Sequence, residues 1–227
     1  MTSSIWPDPF GWSAQADEAE LSKVSSRSNV AKVGAGAEDI LSAILAVEQS
    51  CLSGCAQHTS EQGEVLTTEC MLSDEVAKYY LCSSTTSSTF VTYCSYKFPN
   101  VRMEDARTAL LDANERRVRE ADSDYTVHRD AQPGDVSMQQ DVSFVMRATW
   151  PFSDRDVLQR VWQLPLPSEK GFKDGIAILM TSFENDELLP RKEDRIRANV
   201  KIAAYLLRRI SEGTRGMEIV VCQDIDL

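Results

Sequence analysis

Few residues in this chain have types and spacings that could support chemistry. There are six cysteines, and only Cys51 and Cys55 lie close together, at a C-x3-C spacing. His58 and His128 are the only histidines, and neither stands at a zinc-ligand distance from the cysteines, so no metal site is expected. A G-x-S-x-G elbow, an H-E-x-x-H helix and a glycine-rich phosphate loop are all missing. His128, flanked by Arg129 and Asp130, is the single candidate base near a central strand, and a strand-end histidine accounts for it more simply. With no cofactor motif and no catalytic constellation, the sequence is not expected to encode an enzyme. Its informative residues lie in alternating apolar strands, whose elements must be placed first.

The chain has 227 residues, with 24 Lys+Arg against 35 Asp+Glu and a net charge of −11. Residues 1–100 carry 5 basic and 12 acidic side chains, and residues 101–227 carry 19 and 23. Nucleic-acid partners are excluded on this balance, because phosphate contacts need clustered cations. The 42% hydrophobic content is enough to build one sizeable core. The longest apolar runs, Ile176 to Met180 and Ile202 to Leu207, fall far short of the roughly 20 residues a bilayer helix needs. No basic region followed by an apolar run opens the chain, so the expected location is cytoplasmic with reduced thiols.

Residues 1–35 read as a flexible tail ahead of one domain spanning 36–227. Trp6, Phe10 and Trp12 in that tail either pack back on the domain or dock to a partner. Ile40, Leu41, Ile44, Leu45 and Val47 recur at the helical period, which predicts a helix over Glu38 to Ser50. Period-two patterning predicts three strands at Val65–Leu72, Lys78–Ser83 and Thr89–Phe98. A helix is predicted from Met103 to Glu120 with Asn100 as its N-cap. Strands are then expected at Tyr125–Arg129, Asp141–Ala148, Val157–Leu164, Gly175–Ser182, Arg195–Arg208 and Met217–Cys222. The helix-compatible run Ala203 to Leu207 leaves an amphipathic helix as the alternative for the fifth of these. Strand runs punctuated by helices define an α+β fold with a largely antiparallel sheet.

Three segments, in order, resemble the START (StAR-related lipid transfer) domain family. Trp150-Pro-Phe-Ser-Asp-Arg-Asp156 is similar to the family's W-P-x-S-x-R-D turn. Ser182, Pro190 and Ile196-Arg197-Ala198 match its S-P-V-R-A pattern. Gly213-Thr214 followed by Val220-Val-Cys-Gln-Asp224 resembles its closing strand. Proline at 151 would fix the turn and extend the residue before it, and Arg155 and Asp156 would anchor the next strand through charge-assisted hydrogen bonds. The resemblance covers about Glu38 to Leu227. It implies a START-like helix-grip fold, a curved antiparallel sheet with an N-terminal helix and paired central helices, holding one lipid in an apolar cavity.

The resemblance also nominates site residues. Arg116 and Glu120 keep the arginine-to-acid spacing that some phospholipid-binding members use, with Asp122 as an alternative acid; a surface i,i+4 ion pair is the plainer reading. The tryptophan that usually closes that helix is absent. Counted without gaps from Trp150, the aromatic positions that cage choline in some members fall at Phe144, Gln159 and Lys201, only one of which is aromatic. The acid and arginine of sterol-binding members fall at Val142 and Val161. Strand parity sets Val142, Phe144 and Met146 on one face, read as the cavity face; an ordinary core would show the same alternation. The lipid-cavity residues expected are therefore Val142, Phe144, Met146, Gln159, Val161, Arg116 and Glu120.

The family continues beyond the point matching Asp224-Ile-Asp-Leu227 into a long C-terminal helix. The chain accordingly reads as a fragment of a longer protein, or as one whose N-terminal residues cover the sheet instead. The function expected is non-enzymatic binding or intracellular transfer of a lipid, phospholipid, sterol or other. The alternative is a protein-interaction or regulatory domain that keeps the fold without a ligand. Arg191, Lys192, Arg195, Arg197, Arg208 and Arg209 concentrate positive charge late in the chain, interrupted by Glu187, Glu193 and Asp194. Internal pairing in a solvated loop is the simpler account of them, and transient peripheral membrane contact is the functional expectation.

Overall fold

The computed structural model describes residues 36–53, 57–59, 65–84, 90–112, 122–130, 138–148, 153–166, 175–210 and 216–226. Helix α1 (Ala37–Leu52) carries Glu38 and Asp39 in its first turn, where the helix dipole favours negative charge. Ile40, Ile44, Val47 and Cys51 form its buried stripe. Ser53 stops it, with its backbone N–H donating to the Gln49 carbonyl and its hydroxyl to that of Ser50.

The strands are β1 (Gln57–Thr59), β2 (Val65–Ser73), β3 (Ala77–Ser84), β4 (Phe90–Phe98), β5 (Asp122–Arg129), β6 (Gln140–Met146), β7 (Arg155–Pro165), β8 (Gly175–Ser182), β9 (Ile196–Arg197), β10 (Asn199–Arg209) and β11 (Met217–Asp226). They form one curved antiparallel sheet in the order β1-β2-β3-β4-β11-β10-β8-β7-β6-β5, with β9 pairing in parallel to β7. The pairing of β4 with β11 joins the first meander to the second. Helix α2 (Met103–Leu111) crosses between them.

Alternation divides the side chains of the sheet between two cores. On one face α1 packs on Cys82, Tyr93, Trp162, Leu179, Ala204, Leu206, Val220 and Cys222. On the other, Met103 and Ala106 of α2 pack with Val142, Phe144, Val157, Val161, Ile178, Met180 and Leu207. The strand with a helical alternative is β10: Ile202, Ala204 and Leu206 face α1, while Ala203 and Leu207 face α2, a period of two that a helix cannot make.

Several sequence expectations need correction. The N-cap of α2 is Arg102 rather than Asn100, and it makes no side-chain cap bond. Arg102 is instead turned to Asp105. The helix ends at Leu111, because Asp112 is extended (ψ 123°); residues 113–121 lie outside the described set. Strand β1 has no counterpart in the sequence expectation, being three residues long, and the single strand expected over Arg195–Arg208 is divided into β9, which pairs with β7, and β10. Close packing explains Gly175 at the start of β8. A Cβ there would stand 2.9 Å from both Cβ and Cδ1 of Leu166 and 3.2 Å from the Leu207 carbonyl.

Candidate functional site

Strand register brings the predicted positions together. Val142 is opposite Gln159, Phe144 opposite Val157, and Met146 opposite Arg155. Val161 is opposite Met180, which is opposite Ala203. Cross-strand partners share a face, so Val142, Phe144, Met146, Gln159 and Val161 all lie on the α2 face. The row Gln163, Ile178, Tyr205, Val221, Cys94 and Tyr79 continues that face across five more strand pairings. Val142 and Val161 are 0% and 4% exposed. Arg116 and Glu120 lie outside the described residues.

The face is apolar with a few placed polar groups. Gln159, on β7, is 3% exposed, and no hydrogen bond of its amide is found among the described residues. Four positions along the same strand, Gln163 accepts a 2.8 Å bond from Nε of Arg107 on α2. Aromatic rings are more numerous than the sequence reading expected. Tyr125 stacks on Phe144 with centroids 6.0 Å apart, and Tyr96 lies against Phe98 at 6.5 Å. Tyr125 escaped notice because a bulge between Ser123 and Thr126, with Asp124 at φ 57°, resets the parity of β5. Burial raises the phenols of Tyr79 and Tyr96 and pushes the Cys94 thiol up to about 11, so all three are neutral at physiological pH.

Lys201, the third of the positions that align with the choline cage of some members, is off this face. A bulge between Val200 and Ile202 turns its side chain to the α1 side, where Nζ lies 3.8 Å from a carboxylate oxygen of the buried Asp224. The ungapped count from Trp150 could not register that extra residue.

The other motif residues build the frame. Asp156 accepts from Nε of Arg197 at 3.0 Å, and Arg197 also donates to the Leu189 carbonyl at 2.7 Å. Two segments singled out in sequence, 41 residues apart, therefore meet as the parallel pair β7–β9. Asp156 anchors β9 rather than the strand that follows it in sequence, and Arg155 differs from expectation by donating to the Ser153 carbonyl within its own turn. Ser182 accepts from the Val200 backbone N–H at 2.9 Å, fixing where β10 begins. Asp154 accepts from the Ala148 N–H and from Arg147, which together hold its carboxyl below the usual range. Trp150, Pro151, Phe152, Gly213 and Thr214 lie outside the described residues.

On the opposite face, α1 is pinned by a buried charged group. Arg208 donates from both Nη atoms to Glu48, at 2.5 Å each, and Tyr93 donates to the same carboxylate at 2.9 Å. Burial opposes the charge on Arg208, but the bidentate carboxylate outweighs it and the guanidinium pKa is raised. The basic residues late in the chain are largely engaged in this way. Arg191 pairs with Glu184 and Asp186, Arg195 with Asp124, Arg197 with Asp156, and Arg209 with Glu104. His128 shares a 2.7 Å hydrogen bond with Ser143 on β6. Among the described residues no cluster of three His, Cys, Asp or Glu could hold a metal, and no helix is long and apolar enough to cross a membrane.

A large antiparallel sheet with an N-terminal helix on one face and a crossover helix on the other defines the START-type helix-grip fold. Comparison with solved structures places the chain in that class. Human STARD10 aligns over 87% of this chain and 70% of its own, at a TM-score of 0.62 and 16% identity. Human StAR-related lipid transfer protein 5 aligns over 83% and 79%, at 0.61 and 11%. The lipid transfer and protein localization domain of human StarD13 aligns over 70% and 75%, at 0.55 and 16%. No protein-family model and no curated protein sequence matches the chain.

Proposed function

We propose that this chain is a non-catalytic lipid-binding domain that holds one lipid against the α2 face of its sheet and carries it between membranes. The observation behind the reading is the composition of that face. Val142, Phe144, Val161, Ile178 and Met180 form an apolar floor, with Gln159 among them as a buried amide. Met146, Tyr205 and Ile219 continue it and are only partly buried. Taking acyl or sterol surface out of water there yields roughly 0.8 kcal/mol per methylene, so one long chain suffices for stable retention. A neutral amide such as that of Gln159 can fix an ester or hydroxyl without a buried charge. The solved neighbours named for lipid transfer support the same reading by fold. The chain acts in the cytoplasm and touches membranes transiently through the segment between β8 and β9, where Leu188, Arg191 and Lys192 are exposed. Because Arg191 is already shared with two acids, this contact is brief rather than anchoring.

The test is native mass spectrometry of the chain expressed in cells, with organic extraction of the adduct. A 1:1 lipid adduct supports the reading. A chain that stays bare after incubation with mixed-lipid vesicles contradicts it, and partner binding by the same fold becomes the better account.

A further inference from the structure

We infer that Cys51 and Cys82 form a redox pair: a hydroperoxide oxidises Cys82, and Cys51 then closes a disulfide that clamps α1 to the sheet. The inference goes beyond the lipid-binding reading and does not depend on it.

The two thiols lie 31 positions apart, Cys51 in the last turn of α1 and Cys82 on β3, and their sulfurs stand 3.5 Å from each other. Thr68, the cross-strand partner of Cys82 on β2, donates its hydroxyl to the same sulfur at 3.9 Å. Ser50 shares a 3.0 Å bond with that hydroxyl, which holds the end of α1 in register with the pair. A buried cysteine usually serves as a small apolar side chain, but here two donors converge on one sulfur. The hydrogen bond from Cys51, and behind it that from Thr68, lowers the Cys82 thiol against the opposing effect of burial. The same sulfur–sulfur bond, together with burial, raises Cys51. Cys82 is therefore the nucleophile and Cys51 the thiol that resolves it. A disulfide holds its sulfurs about 2.05 Å apart, so each has only ~0.7 Å to move.

Both cysteines are 1% exposed, which bars bulky reagents from the folded chain. Hydrogen peroxide is little larger than water. Thr68 is only part-buried, and Leu52, next to Cys51, is 54% exposed. The pair thus lies one side chain below the surface, under the end of a helix, where local opening is easiest.

The Cys82 thiolate attacks one oxygen of hydrogen peroxide. An S–O bond forms as the O–O bond breaks, and the departing hydroxide takes up the proton that Cys82 released. The Cys51 sulfur then attacks the sulfur of the Cys82 sulfenic acid; the S–S bond forms, the S–O bond breaks, and water leaves with the Cys51 proton. In sum the two sulfurs lose two electrons, the peroxide oxygens gain them, and two waters result. A dithiol reductant reverses the bond by exchange.

The experiment treats the reduced full chain with hydrogen peroxide, removes the excess with catalase, caps free thiols with N-ethylmaleimide in denaturant, and maps peptides without reduction. The inference predicts a monomer lighter by two hydrogen atoms and a linked Cys51–Cys82 peptide. It also predicts a Tm raised by roughly 5–15 °C, returning to its starting value with dithiothreitol. In Cys51→Ala, peroxide followed by dimedone should label Cys82 as a sulfenic acid, and in Cys82→Ala it should leave Cys51 unlabelled. Both cysteines still free after peroxide, or bonded only to Cys55, Cys70 or a second chain, overturns the inference. A linked peptide with an unchanged Tm overturns the clamp, and dimedone on Cys51 in Cys82→Ala overturns the roles assigned. Mapping of the wild-type chain decides the pairing whatever the stability of the variants.

Discussion

The buried group formed by Glu48, Arg208 and Tyr93 makes a sharp prediction about what holds α1 on the sheet. The two charged side chains are each 7% exposed and meet through both Nη atoms of Arg208. Removing one partner of such a pair leaves the other charged and dehydrated, at a cost of about 3–5 kcal/mol. In Glu48→Met the bidentate acceptor is lost, and the other carboxylate beside Arg208 among the described residues, that of Glu218, stands 3.9 Å away. Loss of the Tyr93 acceptor pushes the cost toward the upper end of that range. For a domain of this size that lowers Tm by roughly 6–20 °C. Arg208→Met alone should cost as much. The double variant Glu48→Met/Arg208→Met removes both charges together and should recover most of the loss, ending within about 2 kcal/mol of the wild-type chain. Urea denaturation followed by circular dichroism measures all four corners of the cycle, with the m-value as a check that the unfolding transition is unchanged. Single-variant losses below about 1 kcal/mol, or a double variant equal to the sum of the singles, would show instead that the pair is hydrated and independent.

Other consequences follow from the same geometry. Burial and the neighbouring Glu48 raise the Tyr93 phenol far above its ordinary value, so its contribution is complete below pH about 10 and is lost as pH rises beyond it. An ultraviolet titration should therefore show Tyr93 ionising only with unfolding, and Tyr93→Phe should move the alkaline unfolding onset upward; an unchanged onset contradicts this. Gly175→Ala drives a methyl into Leu166 and should cost about 1–3 kcal/mol in urea denaturation, against a few tenths for an open strand position. Brief alkylation followed by peptide mapping should modify Cys70 first among the described cysteines, because Cys51, Cys82, Cys94 and Cys222 are buried. Equal labelling of all five would mean that the sheet opens readily. Charge reversal at Arg191 and Lys192 should slow transfer between anionic vesicles, and unchanged transfer removes the membrane contact assigned to that segment.

Much of the frame could be read from residue order. Periodicity located α1 and most long strands, because one-sided burial writes a period of 3.6 or 2 into the sequence. The motif around Asp156 and the one around Arg197 carried the fold class, and in space they form one ion pair. The misses have a common cause: they depend on contacts between distant residues or on one extra residue. Glu48 and Arg208 lie 160 positions apart, and Arg107 meets Gln163 across 56. Nothing local marks either pair. Two bulges brought Tyr125 to Phe144 and turned Lys201 away, and a bulge shifts parity without changing composition. Asn100 had the right chemistry for a helix cap, but Arg102 takes the position and holds Asp105.

A lipid lying on the α2 face of the sheet can be located by photo-crosslinking, using a phospholipid with a diazirine in its acyl chain and mapping the modified peptides by mass spectrometry. Crosslinks are expected on β6, β7, β8 and β10 at alternate positions, with Phe144, Val161, Met180 and Ala203 among them. Crosslinks confined to the α1 face or to the exposed Met71 and Leu72 of β2, or none above a water-soluble diazirine control, would contradict that placement.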